Sequence, residues 1–409
     1  LVALVGPEEK LLARADGPGR IRDAALRAFE AVRSQPRHAR AEVARVLRES
    51  RGLHSAERRL VGDVVFALVR DAAALERVLG TTEPRVWWTA ELVLRGLPPS
   101  DAPFAELAER WERRGDELPP DERLALRHGV PLSAVASLRR VLGDETEPFL
   151  VASDARAPVA VRANRDRGTR EQLAARLAAE GIRSVPSTIA PDGLVLEGRP
   201  HLPSSPAFRD GWFEVMDEGS QRIAALAAGD GPVIDACAGA GGKALALASG
   251  RRPVLALDVR SRPLEELSRR AARAGARIAT RVIAPDGPLP PDLAQAPTVL
   301  VDVPCSGSGV LRRHPAHRWA MGATAIAEHQ TRQIAILDRF AALVAPGGTL
   351  VYATCSVLRE ENEDVVTALL ARRPEWRIRE AIRLWPHVHG TDGFYGAVLD
   401  AQRARSGGT

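Results

Sequence analysis

From Gln221 onward, short apolar runs alternate with helical stretches, and that alternation leaves the chain few folds to choose from. GPVIDAC and PVLALDV read as the first two strands, with GGKALALAS opening a helix between them. PLEELSRRAARAGA has the apolar spacing of an amphipathic helix. RIATRVI, TVLVDVP and TLVYATC follow as strands with helices between. Such alternation specifies a parallel, doubly wound sheet. The closing stretches Trp376–Ile378 and Phe394–Leu399 are expected as an antiparallel pair at one edge.

Ligands of an open α/β sheet gather at the C-terminal ends of its strands. Here those ends carry reactive groups. VLVDVPCSGSGVLRRHP (Val299–Pro315) and TLVYATCSVLREEN (Thr349–Asn362) each close a β-branched run with a cysteine and a serine. Cys305 and Cys355, fifty residues apart, are thereby aimed at one crevice. A redox couple would be expected as C-x-x-C, which the chain lacks. A thiolate suits addition to carbon-6 of a pyrimidine, because it is nucleophilic at neutral pH and leaves again readily. Spacing alone does not rank the two cysteines. The third, Cys237, has the position of a small packing residue under the first turn.

That turn, DACAGAGGK (Asp235–Lys243), is rich in glycine, which lets a backbone approach a ligand at a helix start. Gly239, Gly241 and Gly242 fit neither the G-x-G-x-x-G spacing nor the Walker pattern. Asp258 ends the second strand, where an acid accepts hydrogen bonds from ribose hydroxyls. Asp286 follows the third strand, near the expected nucleobase edge, and Asp302 precedes Cys305 by three residues. Of 57 basic residues only Lys10 and Lys243 are lysines. A lysine kept at 243 in so arginine-rich a chain points to a site that needs a compact ammonium.

Upstream, residues 1–19 read as a loose leader and 20–145 as a helical domain. In the latter, Leu26, Phe29 and Val32 share one helix face, as do Leu60, Val64, Val65 and Leu68. Residues 146–222 read as a small α+β module, strand–helix–strand–strand, with a capping box at Thr169 and Gln172. The α/β domain takes 223–409. A net charge of +5 fits a polyanionic partner. No apolar run is long enough to span a bilayer, the cysteine spacing matches no zinc site, and a reducing cytoplasm is the expected compartment.

These motifs together resemble the bacterial ribosomal-RNA cytosine-C5 methyltransferases of the RsmB type. DACAGAGGK is similar to their S-adenosyl-L-methionine (AdoMet) turn, VDVPCSGSGVLRRHP to their proline–cysteine motif, and LVYATCSVLREEN to their Thr-Cys-Ser motif. EVMDEGSQ (Glu214–Gln221) and DGFYGAVL (Asp392–Leu399) resemble the flanking motifs, and RLVGDVVFALVR resembles part of a NusB-like RNA-binding domain. The turn departs from the family's CAAPGGKT at Ala240 and Ala244.

The resemblance implies a multidomain chain: an all-α NusB-like domain, a small ferredoxin-like or RRM-like α+β module, and a Rossmann-like class I methyltransferase domain. It implies AdoMet as methyl donor without a metal. It also implies an RNA partner, first of all small-subunit ribosomal RNA, with no obligate protein partner. By the same resemblance Cys355 is the nucleophile and Cys305 assists release of the adduct, with Asp302 and Lys243 beside them. Cys237, Ala238, Gly239, Ala240, Gly241, Gly242, Lys243, Asp258, Asp286 and Asp302 fall on the AdoMet positions. A transfer-RNA substrate, or an inert RNA-binding assembly factor, are the alternative readings. DNA cytosine methylation fits less well, because it leaves Cys355 without a role.

Overall fold

The computed structural model describes residues 7–98 and 102–401, which form two compact units. One is helical and takes the chain up to Asp154 together with Leu311–Ala325; the other takes Ala155–Val310 and the chain from Ile326.

The helical unit is organised by the helix Ser55–Leu79. Its start is fixed by a capping box between His54 and Glu57, and Gly80 ends it in the left-handed conformation. Val64, Val65, Leu68 and Leu75 from this helix pack with Phe29 and Val32 of the helix Arg20–Ser34 and with Trp88 of Pro84–Leu94. The expected helical faces are therefore the buried ones, with Leu26 and Leu60 only partly covered.

Three expectations about boundaries need correction. Part of the supposed leader is structured: Pro7–Asp16 is a helix, Leu12 and Ala15 are buried, and the Trp88 indole donates to Ala15 O at 3.0 Å. Leu12 and Ala15 share one helix face, a spacing too short to register as a periodic pattern. The first six residues lie outside the described ones. Thr146–Asp154 is a helix of this unit rather than the start of the α+β module. The third is the segment Leu311–Ala325, which sequence order assigns to the α/β domain and contacts assign here. Its Arg318 is 1% exposed, pairs with Asp154, and donates to His128 O at 3.0 Å.

The second unit holds two sheets. Strands β1 (Val159–Ala163), β2 (Ser184–Pro186), β3 (Gly193–Leu196) and β4 (Phe213–Val215) form an antiparallel sheet in the order β2-β3-β1-β4. The helix Arg170–Ala179 between β1 and β2 starts at the anticipated Thr169–Gln172 capping box. β2 is shorter than the run Ile182–Ile189 suggests, and β4 carries too few residues to show an alternation.

The larger sheet comprises β5 (Val233–Asp235), β6 (Val254–Asp258), β7 (Ile278–Val282), β8 (Ala296–Asp302), β9 (Val344–Thr354), β10 (Trp376–Leu384) and β11 (Phe394–Ala401). Their order is β10-β11-β9-β8-β5-β6-β7. β5 to β9 run parallel, while β11 pairs antiparallel with both β9 and β10, which makes β10 and β11 the anticipated edge pair. This is the Rossmann-like architecture. The chain first builds outward from β5 through β6 to β7, then crosses back to β8 on the other flank. The crevice at such a switch point lies between the C-terminal ends of β5 and β8.

Within this unit the small sheet is anchored to the large one by buried polar contacts. The Asn164 amide donates to Gly211 O and Ala274 O, and Glu214 is paired with Arg270 and Arg273. No helix among the described residues is long and apolar enough to cross a membrane.

Candidate active site at the switch of the sheet

The parallel register β8–β9 sets Asp302 opposite Ala353, so the two cysteine-bearing loops leave the sheet side by side. Backbone bonds then stitch them together: Val303 N donates to Ala353 O, and Gly309 N to Cys355 O. Side chains add to this. The Ser308 and Ser356 hydroxyls are 2.9 Å apart, and Ser308 Oγ accepts from Val357 N. Thr354 donates to Asn362 Oδ1 at 2.6 Å, and Asn362 donates back to Ser356 O. Gly309 and Gly393 meet backbone to backbone; a methyl group on Gly309 would lie 2.2 Å from Gly393 O. Only glycine permits this approach.

The result is that Cys305 Sγ and Cys355 Sγ lie 3.3 Å apart, neither fully covered. Contact with Cys355, together with burial and Glu361, holds the Cys305 thiol well above its ordinary range.

Lys243 Nζ reaches 2.6 Å from Asp302 Oδ2 and lies over the Phe394 ring, 5.6 Å from its centre. Burial works against charge on this ammonium. Asp302, with Cys355 and Asp235 behind it, outweighs burial and raises its pKa. The site therefore has a fixed cation on the Cys355 side of the sulfur pair.

Around the glycine turn, Gly239 N donates to Asp258 Oδ2 at 2.9 Å, and Gly239 takes a positive φ with open space where a side chain would be. Gly241 also has positive φ, and a methyl there would strike Leu267, so this glycine serves close packing of the turn on the helix Ser261–Ala274. Ala238, Ala240 and Gly242 complete the loop, with Gly242 opening the next helix and Ala240 exposed. Cys237 packs against the core under the turn, and burial pushes its thiol up, so it stays protonated. Asp286 sits exposed on the loop past β7.

Three features escape sequence reasoning. Asp235 is 1% exposed, no side chain among the described residues bonds to its carboxylate, and burial next to Asp302 pushes it up to about 7. Arg260 bonds to Asp258 Oδ1 through both its backbone N (2.9 Å) and its Nε (3.2 Å). Glu361 has no exposed surface and accepts from Ser306 N at 2.8 Å.

The donor set fits AdoMet. A nucleoside with an ammonium-bearing amino-acid arm calls for acceptors, and the buried carboxylate of Asp235 and the strand-end Asp258 supply them beside an open glycine turn. Among the described residues no group of His, Cys, Asp or Glu is arranged to hold a metal ion.

Residues 224–400 match the family model of the 16S rRNA methyltransferase RsmB/F, and residues 131–202 match that family's ferredoxin-like domain. The ribosomal RNA small subunit methyltransferase B of Salmonella arizonae is 35% identical over 65% of this chain and 65% of its own length. The Vibrio cholerae protein of the same name is 33% identical over 68% of this chain and 66% of its own. The chain thus spans about two thirds of these relatives. A methyltransferase homologue from Pyrococcus horikoshii is 25% identical with a TM-score of 0.60, covering 69% of this chain and all of that one.

Proposed function

The chain belongs to the RsmB/F methyltransferase family, and on that footing we propose that it methylates carbon-5 of a cytosine in small-subunit ribosomal RNA with AdoMet as donor. The observation that carries this reading is the pair of sulfur atoms 3.3 Å apart at adjacent strand ends, beside the Lys243–Asp302 ion pair.

Carbon-5 of cytosine is a poor nucleophile until something adds to carbon-6. Cys355 is the adding group: its thiolate, facing the Lys243 ammonium, bonds to carbon-6 and moves electron density onto carbon-5. Asp302 steadies the activated ring while remaining paired with Lys243. The turn Cys237–Lys243, Asp235 and Asp258 would hold the donor, which supplies an electrophilic methyl group when bound. Loss of the carbon-5 proton restores the ring and expels Cys355, with Cys305 assisting. The base must leave its stack to reach these groups, which favours a loop or a locally opened RNA segment. The helical unit, whose outer faces carry many arginines, serves in this reading as a NusB-like RNA-binding domain.

Tritium transfer from labelled AdoMet to bacterial small-subunit RNA tests the proposal. Wild type is expected to transfer label, Cys355→Ala to lose transfer, and Cys305→Ala to accumulate a covalent RNA–protein band. Label in transfer RNA alone, or undiminished transfer by Cys355→Ala, would overturn it.

A further inference from the structure

Glu361 is an acid with no exposed surface, and among the described residues no basic side chain pairs with it. Its carboxylate is met by neutral donors only: Ser306 N at 2.8 Å, the Ser306 hydroxyl, and the Gln333 amide at 3.0 Å. That amide also donates to Pro304 O at 3.0 Å. Of the neighbours of Cys305, Ser306 is therefore held by Glu361 directly and Pro304 through the Gln333 amide, and Glu361 comes from the segment that follows Cys355. A buried acid without a cation is costly to keep. Ordinary loop packing would be served as well by a neutral residue.

We propose that Glu361 is a positioning residue for the transfer reaction, fixing Cys305 against Cys355 as the proton-carrying thiol of the pair. This rests on the roles given to the two cysteines above.

The charges around the pair are asymmetric. Cys305 has Cys355 and the Glu361 carboxylate about it, which keep its proton on, and the Gly307 N–H, which favours a thiolate. Cys355 has the Lys243 ammonium on its side, with Asp302 behind it. A proton shared by the two sulfur atoms therefore resides on Cys305, next to the negative group.

This arrangement supplies a balanced release step. As the Cys355 Sγ–carbon-6 bond breaks, its electron pair returns to Cys355 Sγ, which takes the proton of Cys305. The sulfur of Cys305 takes the proton leaving carbon-5, whose bonding pair forms the carbon-5–carbon-6 double bond. Both cysteines end as thiols, and no further reactant is needed.

The 409-residue chain carrying Cys237→Ala and Cys355→Ser leaves Cys305 as its one thiol, and iodoacetamide alkylation against pH reads its titration. Glu361→Gln in this background is expected to move the midpoint down by about half a pH unit or more, since a facing negative charge is removed. Loosening of the loop would raise the rate at every pH without moving the midpoint. Should Glu361→Gln not fold, Ser306→Ala gives the opposite sign: the carboxylate loses a donor and the midpoint moves up.

In the otherwise unmodified chain, Glu361→Gln is expected to accumulate the RNA adduct and lower kcat at least tenfold, with the KM for AdoMet unchanged. An unmoved midpoint, or a fall in kcat without adduct, overturns the proposal. Transfer by Cys355→Ala would defeat the nucleophile assignment instead, while the alkylation midpoint, which needs no RNA, still decides the role of Glu361.

Discussion

Lys243 Nζ and Asp302 Oδ2 are 2.6 Å apart, and the lysine side chain is 10% exposed while the aspartate is 29% exposed. The pair joins the start of the first helix after β5 to the end of β8, across the switch of the sheet. Lysine rather than arginine suits this place, since a compact ammonium fits between a carboxylate and an aromatic ring without needing a fork of acceptors. Asp302→Asn leaves the ammonium buried without its counter-charge. Unfolding in urea is expected to show a loss of about 2 kcal/mol, below the usual cost of breaking a fully buried pair because Asp302 is partly hydrated. Methyl transfer is expected to fall about a hundredfold, and a variant as active as wild type would remove this pair from the site.

Asp235 gives the second unit a signature in pH. Its folded pKa, about 7, lies above its ordinary value, so the folded state favours the protonated acid. The stability this provides is complete below about pH 4 and is lost as pH rises through 7. Asp235→Asn, which cannot ionise, is expected to gain on wild type by about 1 kcal/mol per pH unit between pH 4 and 7, then level off. Denaturant unfolding of both proteins at pH 5, 6, 7 and 8 checks the slope.

Arg260 occupies acceptor capacity that a ribose would need. Asp258 Oδ1 already receives two bonds from this residue, yet the arginine side chain is 63% exposed and its pair is correspondingly weak. Arg260→Ala is expected to lower the Kd for AdoMet by up to about fivefold, the equivalent of at most ~1 kcal/mol. Asp258→Asn should weaken it. Calorimetry with both variants checks the pair of signs, and weaker binding by Arg260→Ala would mean that the guanidinium contacts the donor.

Arg318 tests where the segment Leu311–Ala325 belongs. Its guanidinium serves Asp154, His128 O and Ser153 O in the helical unit and is almost wholly buried. Arg318→Met strands these acceptors, and the helical unit is expected to lose about 3–5 kcal/mol. Hydrogen exchange should show the loss in Ser55–Leu79 and Thr146–Asp154. Protection unchanged in those helices would contradict the assignment.

The larger sheet and the positions of Cys305, Cys355, Asp258 and Asp302 were open to reading because each depends on local pattern. A β-branched run makes a strand, and the residue that ends it lies at the binding edge of a parallel sheet. Amphipathic spacing likewise identified the helices of the first unit. The approach of the two sulfur atoms, the pairing of Lys243 with Asp302, the burial of Asp235 and the clamp of Glu361 on Ser306 were decided only by the tertiary structure. So were the helical nature of Pro7–Asp16, the fourth strand of the small sheet, and the return of Leu311–Ala325 to the helical unit. Each depends on groups distant in sequence meeting in a dry interior, where a charge is set by its neighbours, and periodicity along the chain carries no record of those neighbours.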